Sequence, residues 1–217
     1  MSDFATRRRM MVDTQVRPSD VTEFPIIDAM LTVPREAFVP RDKIEAAYVS
    51  EHVDLGHGRV LLDPRLFAKM LDALNLSNSD LVLDLGTGFG YSSAVIARIA
   101  EAVVAVDDDE TRIDEAQSLL SEHHADNVAL HHGALTDGAA EHGPYDAIII
   151  EGAVEQLPTA LISQLKEGGR MVVIFMDGML GTVRVGHKID GDMNWRFAFN
   201  GTAPLLAGFE KAEEFAF

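Results

Sequence analysis

The chain has 217 residues, 47% of them hydrophobic, and carries 18 Lys and Arg against 35 Asp and Glu for a formal charge of −17. This length suits one α/β domain with an N-terminal extension, and the composition argues against extensive disorder. So acidic a balance disfavours a nucleic-acid backbone as partner, and the absence of cysteine excludes disulfides, zinc–thiolate sites and a thiol nucleophile.

In chain order, Arg7-Arg8-Arg9 reads as a solvated cluster near the start, and Met1 to Pro18 holds no apolar stretch of secretory type. Residues 1–79 read as a helical, lid-like extension. Within it Pro25–Leu31 is a short apolar segment. Asp63-Pro64 opens a helix over Pro64–Leu74, with Phe67, Met70, Leu71 and Leu74 on its inward stripe. Residues 80–217 read as one compact unit of alternating strands and helices. Strands are expected at Leu81–Leu85, Ala102–Val106, Val128–His131, Ala147–Ile150 and Met171–Phe175. Helices are expected at Tyr91–Ala100, Glu110–His123 and Leu157–Leu165, the last stopped by Gly168-Gly169. Thr182–Ile189 and Trp195–Phe199 read as antiparallel strands around an Asp190-Gly191 turn. The fold class is therefore α/β: a doubly wound, mostly parallel seven-stranded sheet with an N-terminal helical extension and a C-terminal antiparallel hairpin. The longest apolar runs are too short to span a bilayer, so a cytoplasmic protein without a membrane partner is expected.

Asp84-Leu85-Gly86-Thr87-Gly88-Phe89-Gly90 lies at the end of the first parallel strand, where open α/β sheets bind ligands. Glycines there let the chain turn tightly and let its amides approach a ligand. An acidic residue to bind a ribose is expected to end the next strand about 20 residues on, and Asp107 does so, followed by Asp108 and Asp109. A dinucleotide fingerprint would place a third glycine where Tyr91 stands. Asp84 inside the motif suits a ligand carrying an amine and a sulfonium better than one carrying phosphates. The expected cofactor is S-adenosyl-L-methionine.

The sequence resembles the protein-L-isoaspartate O-methyltransferases over roughly Met11 to Ile174. The resemblance is carried by Met11-Val12, Gln15 and Arg17, by Ala29-Met30, and by Val33-Pro34-Arg35-Glu36-Ala37-Phe38-Val39-Pro40. It continues through Ala47-Tyr48, Gly56-His57-Gly58, the glycine loop to Tyr91, Pro144–Ile148 and Leu165–Arg170. It implies a Rossmann-like methyltransferase that esterifies L-isoaspartyl carboxylates in damaged proteins, with an isoaspartyl protein or peptide as substrate. It also implies cofactor contacts from Gly86, Thr87, Gly88, Gly90 and Tyr91, ribose binding by Asp107, and Asp108 beside the adenine.

Several positions depart from the family pattern. A Gln-Thr-Ile-Ser segment, whose hydroxyls help hold the acceptor carboxylate, is here Arg59-Val60-Leu61-Leu62. Val60 and Leu62 cannot donate a hydrogen bond, whereas Arg59 could offer a charge-assisted one. Gly133-Ala134-Leu135 replaces Gly-Asp-Gly, leaving Ala134 without a side-chain contact to the adenine and Leu135 with a backbone one. Glu151 stands in place of threonine and suits an amine or hydroxyl acceptor. The acceptor-side candidates are thus Arg59, Leu62, Glu151 and His57. The alternative reading is a family member that binds the cofactor but uses another carboxylate or amine acceptor, or serves as a non-catalytic interaction protein. No metal is expected, because the adjacent pairs His123-His124 and His131-His132 point to different sides. Arg17 and Arg35 are expected in surface salt bridges.

Overall fold

A computed structural model describes residues 3–211. The N-terminal part begins with α1 (Phe4–Met11), continues into a π-helical turn over Val12–Val16, and leads to α2 (Phe24–Thr32). A short two-stranded antiparallel hairpin follows, β1 (Val53–Gly56) and β2 (Arg59–Leu61), before α3 (Pro64–Leu74). The helix α3 has its expected bounds. Asp63 caps it by accepting from the Leu66 amide at 3.0 Å, and Asn75 ends it in the left-handed region at φ 51°.

The main sheet comprises β3 (Leu81–Leu85), β4 (Ala102–Asp107), β5 (Val128–His132), β6 (Tyr145–Val154), β7 (Leu165–Asp177), β8 (Leu180–Ile189) and β9 (Asp192–Asn200). Their spatial order is β5-β4-β3-β6-β7-β8-β9, with β3 to β7 parallel and β8 and β9 added antiparallel. The crossovers carry α4 (Tyr91–Ile96), α5 (Glu110–Glu122) and α6 (Thr159–Ser163). The order reverses at β3, between β4 and β6, and this is the switch point where the glycine loop begins.

Strand periodicity sorts the core into two layers. Val82, Val103, Ala147, Ile149, Val172 and Val183 face α1 to α4 and the rest of the N-terminal part. Leu83, Leu85, Val104, Ile148, Ile150 and Val173 face the opposite layer with Leu161, Leu206 and Phe209. With both faces covered, the strands read as nearly continuous apolar runs.

Three local expectations are corrected. The segment before α3 contains the β1–β2 hairpin, whose two-residue turn, His57-Gly58, takes φ 52° and 75°. Glycine at the second turn position is the hairpin signal that a helix-and-loop reading passes over. Second, α6 covers only Thr159–Ser163. Leu165 already pairs with Tyr145, and Gly168-Gly169 lie in an irregular step of β7 rather than ending a helix. Third, α4 ends at Ile96, with a looser turn running on to Ala100. The Asp190-Gly191 turn is as expected, at φ 54° and 84° between β8 and β9.

Candidate functional site

The loop after β3 is built on three left-handed glycines, Gly86, Gly88 and Gly90, at φ 84°, 58° and 94°. A side chain at any of them would be strained by about 1–2 kcal/mol. At Gly88 it would also meet Leu55 Cδ1 of β1 at 2.8 Å, so the hairpin lies directly over this glycine. The Gly86 and Thr87 amides donate to the Val106 carbonyl at 2.8 and 3.3 Å, pinning the loop to the end of β4.

Asp84 and Glu151 follow Val82 and Ile149 in the period of two and therefore emerge on the same side of the sheet, toward α4 and Arg35. Both are buried. Asp84 Oδ2 accepts hydrogen bonds from the Ser92 and Ser93 hydroxyls at the start of α4, and Thr87 in turn bonds Ser93 at 2.7 Å. Burial raises the Asp84 carboxyl from 3.8 to about 6, against the lowering effect of these hydroxyls, and the charge of Asp107 adds to the rise. Burial also pushes Glu151 well above the usual carboxylate range, helped by repulsion from Asp84 and opposed by Arg35. The two acids thus differ: Asp84, at about 6, is largely ionised at neutral pH, whereas burial favours the protonated form of Glu151.

Arg35 is not on the surface. It is fully buried, donating from Nε to the Ala47 carbonyl and from Nη2 to the Leu62 carbonyl, both at 2.6 Å, with its guanidinium 5.0 Å from the Tyr91 ring centre. Arg17 does make an exposed salt bridge, with Asp13 at 3.2 Å. Tyr91 and Leu62 are each 1% exposed, so Arg35 fixes the backbone on which Leu62 is presented.

At the ribose end, Asp107 is buried at the tip of β4. Its Oδ2 accepts from the Gly88 amide at 3.0 Å, and its Oδ1 from Arg112 Nε at 2.9 Å and the Asp109 amide at 3.2 Å. Arg59, expected on the acceptor side, lies here instead. Its Nη2 is 2.9 Å from Asp108 Oδ1 and its Nε 3.9 Å from Asp107 Oδ2. Burial would raise Asp108, but Arg59 and then Arg112 outweigh it and hold the carboxyl low. His57 is exposed at the hairpin tip, Ala134 is exposed, and Leu135 is buried with its Cδ1 facing Gly86. Sequence reasoning missed Arg35, Arg112 and the serine pair; Ser92 and Ser93 stand eight and nine residues beyond Asp84, at the start of the helix after the loop.

The residues fit an adenosyl amino-acid cation. Among the described residues, Asp84 Oδ1, Glu151 Oε1 and the Tyr91 hydroxyl belong to the buried side-chain atoms without a hydrogen-bond partner, as do Arg35 Nη1, Arg59 Nε and Arg112 Nη1. A carboxylate oxygen has two lone pairs, so Asp107 Oδ2 retains capacity for a hydroxyl beside Gly88. A separate groove of about 850 Å³ opens at the start of α3, between Asp63, Arg65 and Lys69 on one side and Leu180, Phe199 and Thr202 on the other; the glycine loop and Glu151 are not part of its lining. No helix among the described residues is long and apolar enough to cross a membrane.

Comparison with known proteins agrees with this geometry. A family profile described as protein-L-isoaspartate(D-aspartate) O-methyltransferase matches residues 7–194. A protein-L-isoaspartate O-methyltransferase of Vibrio parahaemolyticus is 35% identical over 190 residues, 88% of this chain and 91% of that one. One from Roseiflexus sp. is 36% identical over 171 residues, 79% of this chain and 78% of that one. A solved protein-L-isoaspartate O-methyltransferase superposes with a TM-score of 0.82 at 24% identity, over 93% of this chain and 66% of that longer one. A Plasmodium falciparum chain solved with S-adenosyl-L-homocysteine gives 0.79 at 17% identity, over 95% of this chain and 99% of that one. The chain belongs to the protein-L-isoaspartate(D-aspartate) O-methyltransferase family.

Proposed function

We propose that this chain is an S-adenosylmethionine-dependent O-methyltransferase that esterifies the carboxylate of damaged aspartyl residues in protein or peptide substrates. The observation that carries the reading is the buried acid pair, Asp84 and Glu151, beside a three-glycine loop with Asp107 on the neighbouring strand end. When bound, S-adenosylmethionine supplies a methyl group on a positively charged sulfur. Gly86, Gly88 and Gly90 let the loop backbone approach the cofactor, and Thr87 and Tyr91 frame it. Asp107 accepts from the ribose, Asp108 lies toward the adenine, and the backbone of Ala134 and Leu135 borders the base. Ionised Asp84 favours the cationic end.

On the acceptor side the nucleophile is itself a carboxylate, so little general-base help is needed. What the acceptor loses at Val60 and Leu62 is hydrogen-bond donors. Burial favours the protonated form of Glu151, and that form offers an O–H that a carboxylate accepts. Glu151 therefore serves here as a donor that orients the acceptor, and Leu62, held by Arg35, shapes the apolar wall beside it.

The test is methyl transfer to an isoaspartyl peptide, read as base-labile methanol. Ester formation above that with the matching aspartyl peptide is expected. No ester formation, with S-adenosylhomocysteine still bound, would remove the acceptor assignment and leave the cofactor assignment standing.

A further inference from the structure

Adjacent histidines on a strand diverge, and His131 and His132 do so: His132 Nε2 turns to the Asp108 carbonyl at 3.3 Å. His131 turns the other way and meets two residues from a different segment. Glu141 and His142 belong to a one-turn 3-10 helix, Ala140–His142, that precedes β6. One ligand atom from each of His131, Glu141 and His142 lies within 4.8 Å of those of the other two.

The contacts are more specific than a surface ion pair requires. Glu141 Oε1 is 3.2 Å from His131 Nδ1 and 3.9 Å from His142 Nε2, so one carboxylate oxygen faces two imidazoles. The rings stand edge-to-face with centres 6.0 Å apart. We propose that His131, Glu141 and His142 form a binding site for a divalent transition-metal ion of the zinc class.

Two imidazoles and a carboxylate form a borderline nitrogen and oxygen donor set suited to zinc and its neighbours rather than to calcium or magnesium. Bonds of about 2.0–2.2 Å in a tetrahedral arrangement place ligand atoms about 3.3–3.6 Å apart. The His131–Glu141 pair, at 3.2 Å, is close to such a spacing, and the exposed His142 ring, at 3.9 Å, must close by a few tenths of an ångström on Glu141. Three protein ligands leave a fourth position for water, the pattern of an open site.

The backbone under the ligands is well anchored. Ala139, just before the 3-10 turn, donates its amide to Gln164 Oε1 at 3.0 Å. Its carbonyl accepts from the Tyr145 hydroxyl at 2.5 Å and from the His142 amide at 3.1 Å. Residues on β5 and on this turn therefore meet without ordering a free loop, and the chain's charge of −17 favours a cation at its surface.

Zinc titration of the full chain, stripped with chelator and read by competition with a chromophoric indicator, tests the proposal. One equivalent is expected to bind the parent chain and a His123→Ala/His124→Ala control. His142→Ala and Glu141→Gln should each weaken binding by at least about tenfold, and His131→Ala/His142→Ala should abolish it. Cobalt substitution should give visible absorption bands in the parent chain that vanish in the double variant. Equal zinc affinity in the double variant, or no zinc bound by the parent chain at millimolar concentration, would overturn the proposal. Glu141 and His142 are exposed, so their single substitutions keep the test decisive even where loss of His131 impairs folding.

Discussion

Asp84→Asn isolates the energetic cost of placing a carboxylate under the glycine loop. Asparagine keeps the shape and can still accept from Ser92 and Ser93 through its amide oxygen, but it cannot ionise. In the folded chain Asp84 titrates at about 6 against an ordinary 3.8, which at about 1.4 kcal/mol per tenfold change in proton affinity amounts to about 3 kcal/mol. The sign follows from proton counting. Between these two values the folded chain holds a proton that the unfolded chain has released, so this group makes stability fall as pH rises. Below 3.8 both states are protonated and the contribution vanishes; by pH 7 it has nearly its full size. The stability of Asp84→Asn relative to the parent chain should therefore increase by about 2–3 kcal/mol between pH 4 and pH 7. Urea unfolding followed by circular dichroism at half-unit pH steps measures this. Profiles for the two proteins that stay parallel within about 0.5 kcal/mol would refute the reasoning.

Glu151→Ala should lower kcat/KM for an isoaspartyl peptide by roughly 10- to 100-fold through loss of one hydrogen bond to a charged group, with Glu151→Gln, whose amide still donates, recovering much of it. If both variants lose activity equally, Glu151 does not act as a donor. Arg35→Met leaves the Ala47 and Leu62 carbonyls without partners in the core and should destabilise the chain by about 2–5 kcal/mol, measured by urea unfolding. Gly88→Ala combines left-handed strain with a 2.8 Å contact to Leu55, so a loss of about 1–2 kcal/mol and weaker S-adenosylhomocysteine binding by calorimetry are expected. Asp80 behaves oppositely to Asp84: although burial raises it, Arg170 and the Ser77 amide hold its carboxyl low. Asp80→Asn should therefore cost about 1–3 kcal/mol at pH 7, a difference that shrinks as pH falls through the folded value of Asp80.

The sheet was legible because its strands alternate with helices and several of the apolar runs stop at glycine or acid, as at Gly86, Asp107 and Glu151. The loop at Asp84–Gly90 carried the cofactor half of the site for the same reason, since a three-glycine turn at a strand end has few uses. The resemblance attached the family through Val33–Pro40, but periodicity could not show what Arg35 does. Its partners are carbonyls 12 and 27 residues away, and a backbone carbonyl leaves no mark on the sequence. Arg59 illustrates a different failure. Its position between Gly58 and Leu62 suggested the acceptor, yet a three-residue strand alternates its side chains, and Arg59 points toward Asp108. The His131–Glu141–His142 cluster was invisible because ten residues separate its halves, which meet only in the fold, where Gln164 and Tyr145 anchor Ala139 beside the turn.

The layer formed by α1 to α4 with the sheet also dictates the order in which the chain can mature. Leu66 of α3 lies beneath Gly201, the Leu74 carbonyl receives Arg170 at 2.8 Å, and His52 reaches the Thr202 carbonyl at 2.9 Å. Partners so distant in sequence mean that the segment synthesised first waits for the strands synthesised last. Until β7 and β8 have left the ribosome, part of the apolar face of α3 has no permanent cover, and loop closure over 90 to 150 residues must precede its burial. Assembly is therefore expected to be slow for a chain of this size, with its early, partly built forms the ones that depend most on chaperones.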